Sequence, residues 1–133
     1  AEGFGQNVIG WGIDPVGLYK VLADLKENYG NPRVLIAENG TPAHDVIEAD
    51  GSINDIARIR YLREHILAVY DAIEAGVNVK GYYVWSLMDN FEWAAGFAAR
   101  FGLIHVDWET LKRTPKRSAH WYKKLIKKNK LYL

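Results

Sequence analysis

The sequence predicts an α/β fold in which helices alternate with short parallel strands. Three observations point there. Ile56, Ile59, Leu62, Ile66, Val69 and Ile73 recur at the spacing of one helical face. Two apolar runs, Val34 to Ala37 and the run opening "GYYVWSLMDN" (Gly81 to Asn90), are continuous, as in strands covered on both faces. The order is helix, strand, helix, strand, helix, with no repeat or low-complexity linker, and such alternation implies parallel strands joined by helical crossovers.

Each element has its own signals. Asp14-Pro15 reads as an N-cap followed by proline at the first helical position. Leu18, Val21, Leu22 and Leu25 then repeat helically, and Gly30 offers a stop. Thr41 to Asn54 is polar and turn-rich, so a loop is expected. The Ile56–Ile73 helix ends near Gly76. "FGLIHVDW" holds a shorter strand-like run. Ser118 is expected to cap a last helix carrying Trp121, Tyr122, Leu125 and Ile126, whose lysine-rich end suits the helix dipole. Two parallel strands are too few to close a sheet buried on both faces. Either further strands lie elsewhere, or the chain assembles with something.

Bulk properties narrow the function. The chain has 133 residues, a length that suits one domain with a real core. A net charge of +1 leaves no electrostatic footprint for nucleic acid or a membrane surface. The lysines of "KKLIKKNK" therefore read as a solvated helix end. With no cysteine there is no disulfide framework or thiolate metal site, which fits a reducing compartment, and a cytoplasmic location is the expectation. "AEGFGQNVIG" lacks the basic and apolar regions of a signal peptide, and its glycines follow no strand, so no phosphate loop is expected. His44, His65, His105 and His120 show no metal-ligand spacing, so neither metal nor cofactor is expected.

The first strand runs straight into a carboxylate. In "VLIAENG" the apolar run ends on Glu38, with Asn39-Gly40 at once after it. Asn-Gly is the strongest short hairpin signal, but "TPAHDVIEADGS" is no second strand. In parallel α/β folds the residues just past a strand's carboxyl end face the ligand crevice, which is where Glu38 falls. Asp89 and Asn90 take the matching position on the second strand. The competing account of Glu38 is a carboxylate satisfied by an arginine or lysine. "WSLMDNFEW" gathers Trp85, Asp89, Asn90, Phe91, Glu92 and Trp93 within one strand exit. Flat aromatics stack on pyranose faces and carboxylates accept from vicinal hydroxyls, so the cluster reads as a polyol pocket. Asn39-Gly40-Thr41 also spells a glycosylation sequon, which at such a turn reads as coincidence.

"IAENG" followed by "YYVWSLMDNFEWAAGFAARFGLIHVDWETLKRTPKRSAHWY" resembles the C-terminal portion of glycoside hydrolase family 1, whose members are retaining β-glycosidases on a (β/α)8 TIM barrel. The resemblance runs from about Trp11 to the last helix. It implies that residues 1–133 form one segment, the C-terminal third of such a barrel: helix 6, strand 7, helix 7, strand 8 and helix 8. It assigns the nucleophile to Glu38, the platform beneath the sugar to Trp85, and acceptance from the distal hydroxyls to Glu92. Trp93 would donate through its indole N–H, Phe101 would line the same subsite, and Asn39, Asp89 and Asn90 would support them. The implied partners are a β-glucoside and the remaining barrel segments, from a complementary chain or by self-association. The family's acid/base sits in an Asn-Glu-Pro motif that is absent; "YGNPR" is only a helix-to-strand turn. Ala37 stands where a hydroxyl residue is usual, Gly12 where a larger one is common, and Ala95, Phe97, Ala98 and Ala99 are less polar than the pattern. A non-catalytic fragment or scaffold that self-associates and at most binds sugar is the alternative.

Overall fold

The computed structural model describes residues 5–131; the first four residues of the segment read above for a leader lie outside them. The element order is α1 (Pro15–Asn28), β1 (Val34–Asn39), β2 (Val46–Ile47), β3 (Ile53–Asn54), α2 (Ile56–Glu74), β4 (Val79–Val84), a 3-10 turn (Trp93–Ala95), β5 (Ile104–Val106), β6 (Arg113–Pro115) and α3 (Arg117–Lys128). The expected helix, strand, helix, strand, helix framework is present, with two small antiparallel hairpins, β2–β3 and β5–β6, added to it. No helix among the described residues is long and apolar enough to cross a membrane.

Asp14 does cap α1, accepting from the Gly17 N–H at 2.9 Å, with Pro15 at the first helical position. α1 and α2 lie on one face of the parallel β1–β4 pair. Leu22, Val69, Ala72 and Val77 form the core there, and Val34, Ile36, Val79 and Tyr82 pack onto it from the strands. Burying a leucine as completely as Leu22 or Leu62 contributes about 1.5–3 kcal/mol.

Several expectations are corrected. The strands are not covered on both faces: Leu35 is 52% and Tyr83 59% exposed, because nothing among the described residues packs on the side away from the helices. Thr41 to Asn54 is not all loop, since it contains β2 and β3 and buries Thr41, Pro42 and Ala43. The second strand starts at Val79 and stops at Val84, well short of Asn90; the Trp85–Ser86 peptide is cis. On α2, Ile56 and Ile73 are exposed, and the buried face runs through Arg58, Leu62, His65, Val69 and Ala72. A polar arginine and histidine on the inner stripe hide its true phase from apolar periodicity. Ser118 does not cap α3. That helix begins after Lys116, and the Ser118 hydroxyl and N–H both donate to Asp55, at the start of α2, the N–H at 2.8 Å. One carboxylate therefore ties the N-terminal ends of two helices together.

His65 is buried and stacked on Tyr61, ring centroids 3.9 Å apart, with its Nδ1 2.8 Å from the Tyr61 carbonyl. Burial pushes its pKa below the ordinary 6.5, against the opposing pull of that carbonyl, Asp14 and Glu64. The unfolded chain thus takes up the proton first as pH falls. The stabilisation is full above 6.5 and is lost as pH drops from there through the folded value. Thermal melting followed from about pH 8 to 5 should show a declining midpoint that a His65→Gln variant flattens.

Candidate active site

Glu38 owes its place to an irregularity. Ile36 pairs with Tyr82 and Asn39 with Val84, so β1 spends one more residue than β4 over this stretch. Such a bulge breaks the strict alternation of a strand and re-aims the side chains beyond it. Val34 and Ile36 are partly buried toward the helices and Leu35 is exposed, but Ala37 and Glu38 are then exposed in succession. Without the extra residue Glu38 would fall on the helix side with Val34 and Ile36. Among the described residues no hydrogen bond or ion pair engages its carboxylate, and no described arginine or lysine partners it.

Asn39, back on the helix side, is held firmly. Its Oδ1 accepts from Tyr82 Oη at 2.6 Å, and its Nδ2 donates to Tyr61 Oη at 3.4 Å. Burial raises the pKa of both phenols, so both stay protonated and neutral at any ordinary pH, Tyr82 donating and Tyr61 accepting. An asparagine amide engaged in this way does not behave as a free sequon.

The exits of β1 and β4 are joined through the backbone. Trp85 N donates to the Asn39 carbonyl at 3.0 Å. A Cβ on Gly40 would lie 1.7 Å from the Trp85 carbonyl oxygen, so only glycine lets the two chains approach so closely. Gly102 has the same reason: its Cβ would meet the Asp89 nitrogen at 2.1 Å. Glu38 and Trp85 are therefore near neighbours at one end of the sheet.

Trp85 in turn fixes Glu92, its indole Nε1 donating to Glu92 Oε1 at 2.8 Å. Glu92 N donates to the Gly96 carbonyl at 2.7 Å, folding the loop back on itself. Trp93 is 85% exposed and sits at φ 44, in the left-handed region. A bulky residue there carries strain of about 1–2 kcal/mol, and such strain concentrates at functional sites. The structure thus brings Glu38, Trp85, Glu92 and Trp93 to one end of the molecule.

The remaining predicted residues stand differently. Phe101 is buried, its ring 6.1 Å from that of Trp11, so it backs the loop from within. Asn90 braces its own turn, donating to Ser86 Oγ at 3.0 Å. Asp89 does not face the crevice as the strand-exit argument expects. Because the strand has already ended at Val84, its carboxylate turns inward and meets Lys116 Nζ and Arg100 Nη1, each at 2.7 Å. Burial alone would raise the Asp89 pKa; Lys116, Arg100 and the Val106 N–H outweigh it and hold the carboxyl below the ordinary range.

Sequence reasoning missed the cluster around Asp89. Arg58 and Lys116 are fully buried, and both contact Asp45, at 3.1 and 2.7 Å. Arg58 also pairs with Asp55. Burial and the neighbouring Arg58 push the Lys116 ammonium below the usual lysine range against the pull of Asp45 and Asp89. Asp45, Asp89 and His105 place ligand-type atoms within 4.8 Å of one another. Lys116 Nζ already lies 2.7 Å from both carboxylates, where it does the neutralising that a metal ion would do. Nothing in "RTPKRS" signals this, since a lysine among arginines there looks like surface.

The family model described as Glycosyl hydrolase family 1 matches residues 3–131. A β-glucosidase A of Acetivibrio thermocellus is 48% identical over 128 residues, covering 96% of this chain and 29% of the relative. A 6-phospho-β-galactosidase of Leptotrichia buccalis is 50% identical over 116 residues, 86% of this chain and 24% of the relative. The structure of a β-glucosidase from Thermotoga maritima in complex with cyclophellitol superposes with a TM-score of 0.93 at 46% identity, covering 99% of this chain and 30% of the other. The chain therefore spans less than a third of the length of these relatives.

Proposed function

The chain belongs to glycosyl hydrolase family 1, and from that premise we propose that it carries the nucleophile and part of the glycone subsite of a retaining β-glucosidase. Its fold is part of a (β/α)8 barrel. The observation that carries the reading is the unpartnered carboxylate of Glu38, thrown onto the open face by a bulge beside a Trp85–Glu92 pair.

In a retaining double displacement, one ionised carboxylate attacks the anomeric carbon while a second, about 5–5.5 Å away, protonates the departing oxygen. Glu38 forms the bond to the sugar as the bond to the aglycone breaks, and water then hydrolyses the glycosyl ester. The acid/base belongs to barrel strands that this chain does not supply. Trp85 offers its ring to the sugar face, and its N–H keeps one Glu92 oxygen fixed so that the other can accept from distal hydroxyls. Glu92 also favours an unphosphorylated sugar, since a 6-phosphate would meet a like charge. The chemistry uses two carboxylates and water, with no cofactor.

The test is to join the chain in register to the remaining barrel of the Thermotoga maritima enzyme. The chimera should hydrolyse an aryl β-glucoside with the β-anomer released first, and should prefer it to the 6-phosphoglucoside. The chain alone should show no turnover of an alkyl glucoside. A folded chimera that is inactive, or that releases the α-anomer first, contradicts the reading. The exposed Leu35 and Tyr83 favour a second reading, a non-catalytic scaffold that covers its open face by self-association. It requires a stable oligomer of the lone chain together with an inactive chimera.

A further inference from the structure

The segment that carries Glu92 and Trp93, residues 90–99, contains no strand and only the 3-10 turn Trp93–Ala95. Its two ends are clasped by side chains instead. Arg100 Nη1 donates to Asp89 Oδ2 at 2.7 Å and to the Val106 carbonyl at 2.9 Å, and its guanidinium lies 4.7 Å over the Trp108 ring. Asp89 Oδ1 meanwhile accepts from Lys116 Nζ at 2.7 Å and from Gly102 N at 2.9 Å.

The clasp continues to the loop that follows Glu38. Lys116 holds Asp45 as well as Asp89. Arg58 donates to the Arg100 carbonyl through Nη2, to Asp45 through Nη1 and to the Thr41 carbonyl through Nε at 3.3 Å. A buried network of this kind adds little net stability over a well-packed apolar core, while its directional bonds fix geometry. Here those bonds run between the two loops of the site.

We propose that Arg100, acting through Asp89, is a positioning residue for glycone recognition, closing the loop that presents Glu92 and setting it against the loop that follows Glu38. The inference rests on the reading of Glu92 as a sugar contact. It identifies Arg100 by what it touches: neither its side chain nor that of Asp89 needs to reach the substrate.

The test uses the chimera described above with Arg100→Met, chosen because Arg100 is partly exposed and methionine keeps most of its length. A displaced Glu92 weakens contacts to the distal hydroxyls only. The variant should lose about 10- to 100-fold in kcat/KM toward a β-glucoside, mostly through KM, and less than about threefold toward the 4,6-dideoxyglucoside. Equal losses on both substrates, or no loss, would overturn the proposal and leave Arg100 a part of the fold alone. Should the methionine variant not fold, Arg100→Lys, which keeps the charge opposite Asp89 without the second bond to Val106, decides by the same comparison. A selective glucoside loss of about threefold or more supports the proposal and a parent-like ratio overturns it. A parent chimera whose own kcat/KM is the same for both substrates would instead refute the role given to Glu92.

Discussion

Replacing Glu38 with glycine in the chimera should lower kcat/KM for an aryl β-glucoside by a factor on the order of 10^4 or more, with the fold untouched. Both halves of that result come from the same observation. The carboxylate is exposed and no described residue bonds to it, so its removal strands no described partner, and the glycine left in β1 should cost no more than about 1 kcal/mol. On the proposed reading, its loss removes the carboxylate that forms the glycosyl ester. Added azide should restore turnover by occupying the vacated space, and the product should then be the α-glycosyl azide, because one displacement replaces two. Steady-state rates and NMR of the product read both effects. Loss of activity accompanied by loss of fold would mean that Glu38 is structural after all.

Gly40→Ala should have the opposite profile. A Cβ there would lie 1.7 Å from the Trp85 carbonyl oxygen and 2.7 Å from its carbonyl carbon, and both are backbone atoms that cannot swing aside. The strand exits must separate, breaking the Trp85 N–H bond to Asn39. The expected destabilisation is on the order of 3 kcal/mol or more, read as a shift in the urea midpoint of the chimera. A change below about 1 kcal/mol would show that the two exits are not welded as described. Together the two variants separate a motif that reads as one unit: Glu38 for chemistry, Gly40 for approach.

The sequence foretold the helix and strand order well because those elements announce themselves locally. Asp14-Pro15 and Gly30 bracket α1 through caps that depend only on neighbouring residues. The four residues gathered at the site were legible too, since strand exits and aromatic–acid clusters are sequence-local. What was not legible depends on partners far along the chain. The bulge that turns Glu38 outward is a property of how β1 registers with β4, and nothing in "VLIAEN" requires it. The buried phase of α2 was misread because Arg58 and His65, two polar residues, occupy the inner stripe. Asp89 was placed at the crevice on the assumption that its strand ran to Asn90. Its true partners, Lys116 and Arg100, lie 27 and 11 residues away. Ser118 looked like a cap for its own helix and instead donates to Asp55, 63 residues earlier. Long-range ion pairs leave no periodic trace, and that is why the network was found only in three dimensions.

Glu38, on the proposed mechanism, forms the covalent bond to sugar. The most direct measurement incubates the chimera with a 2-fluoroglucoside bearing a very good leaving group, which departs without acid assistance, and locates the adduct by intact mass and peptide mapping. One fluorosugar on the peptide containing Glu38, absent from the Glu38→Gly variant, is the predicted result. An adduct on any other carboxylate, or none on a chimera that turns over ordinary glucosides, would contradict it.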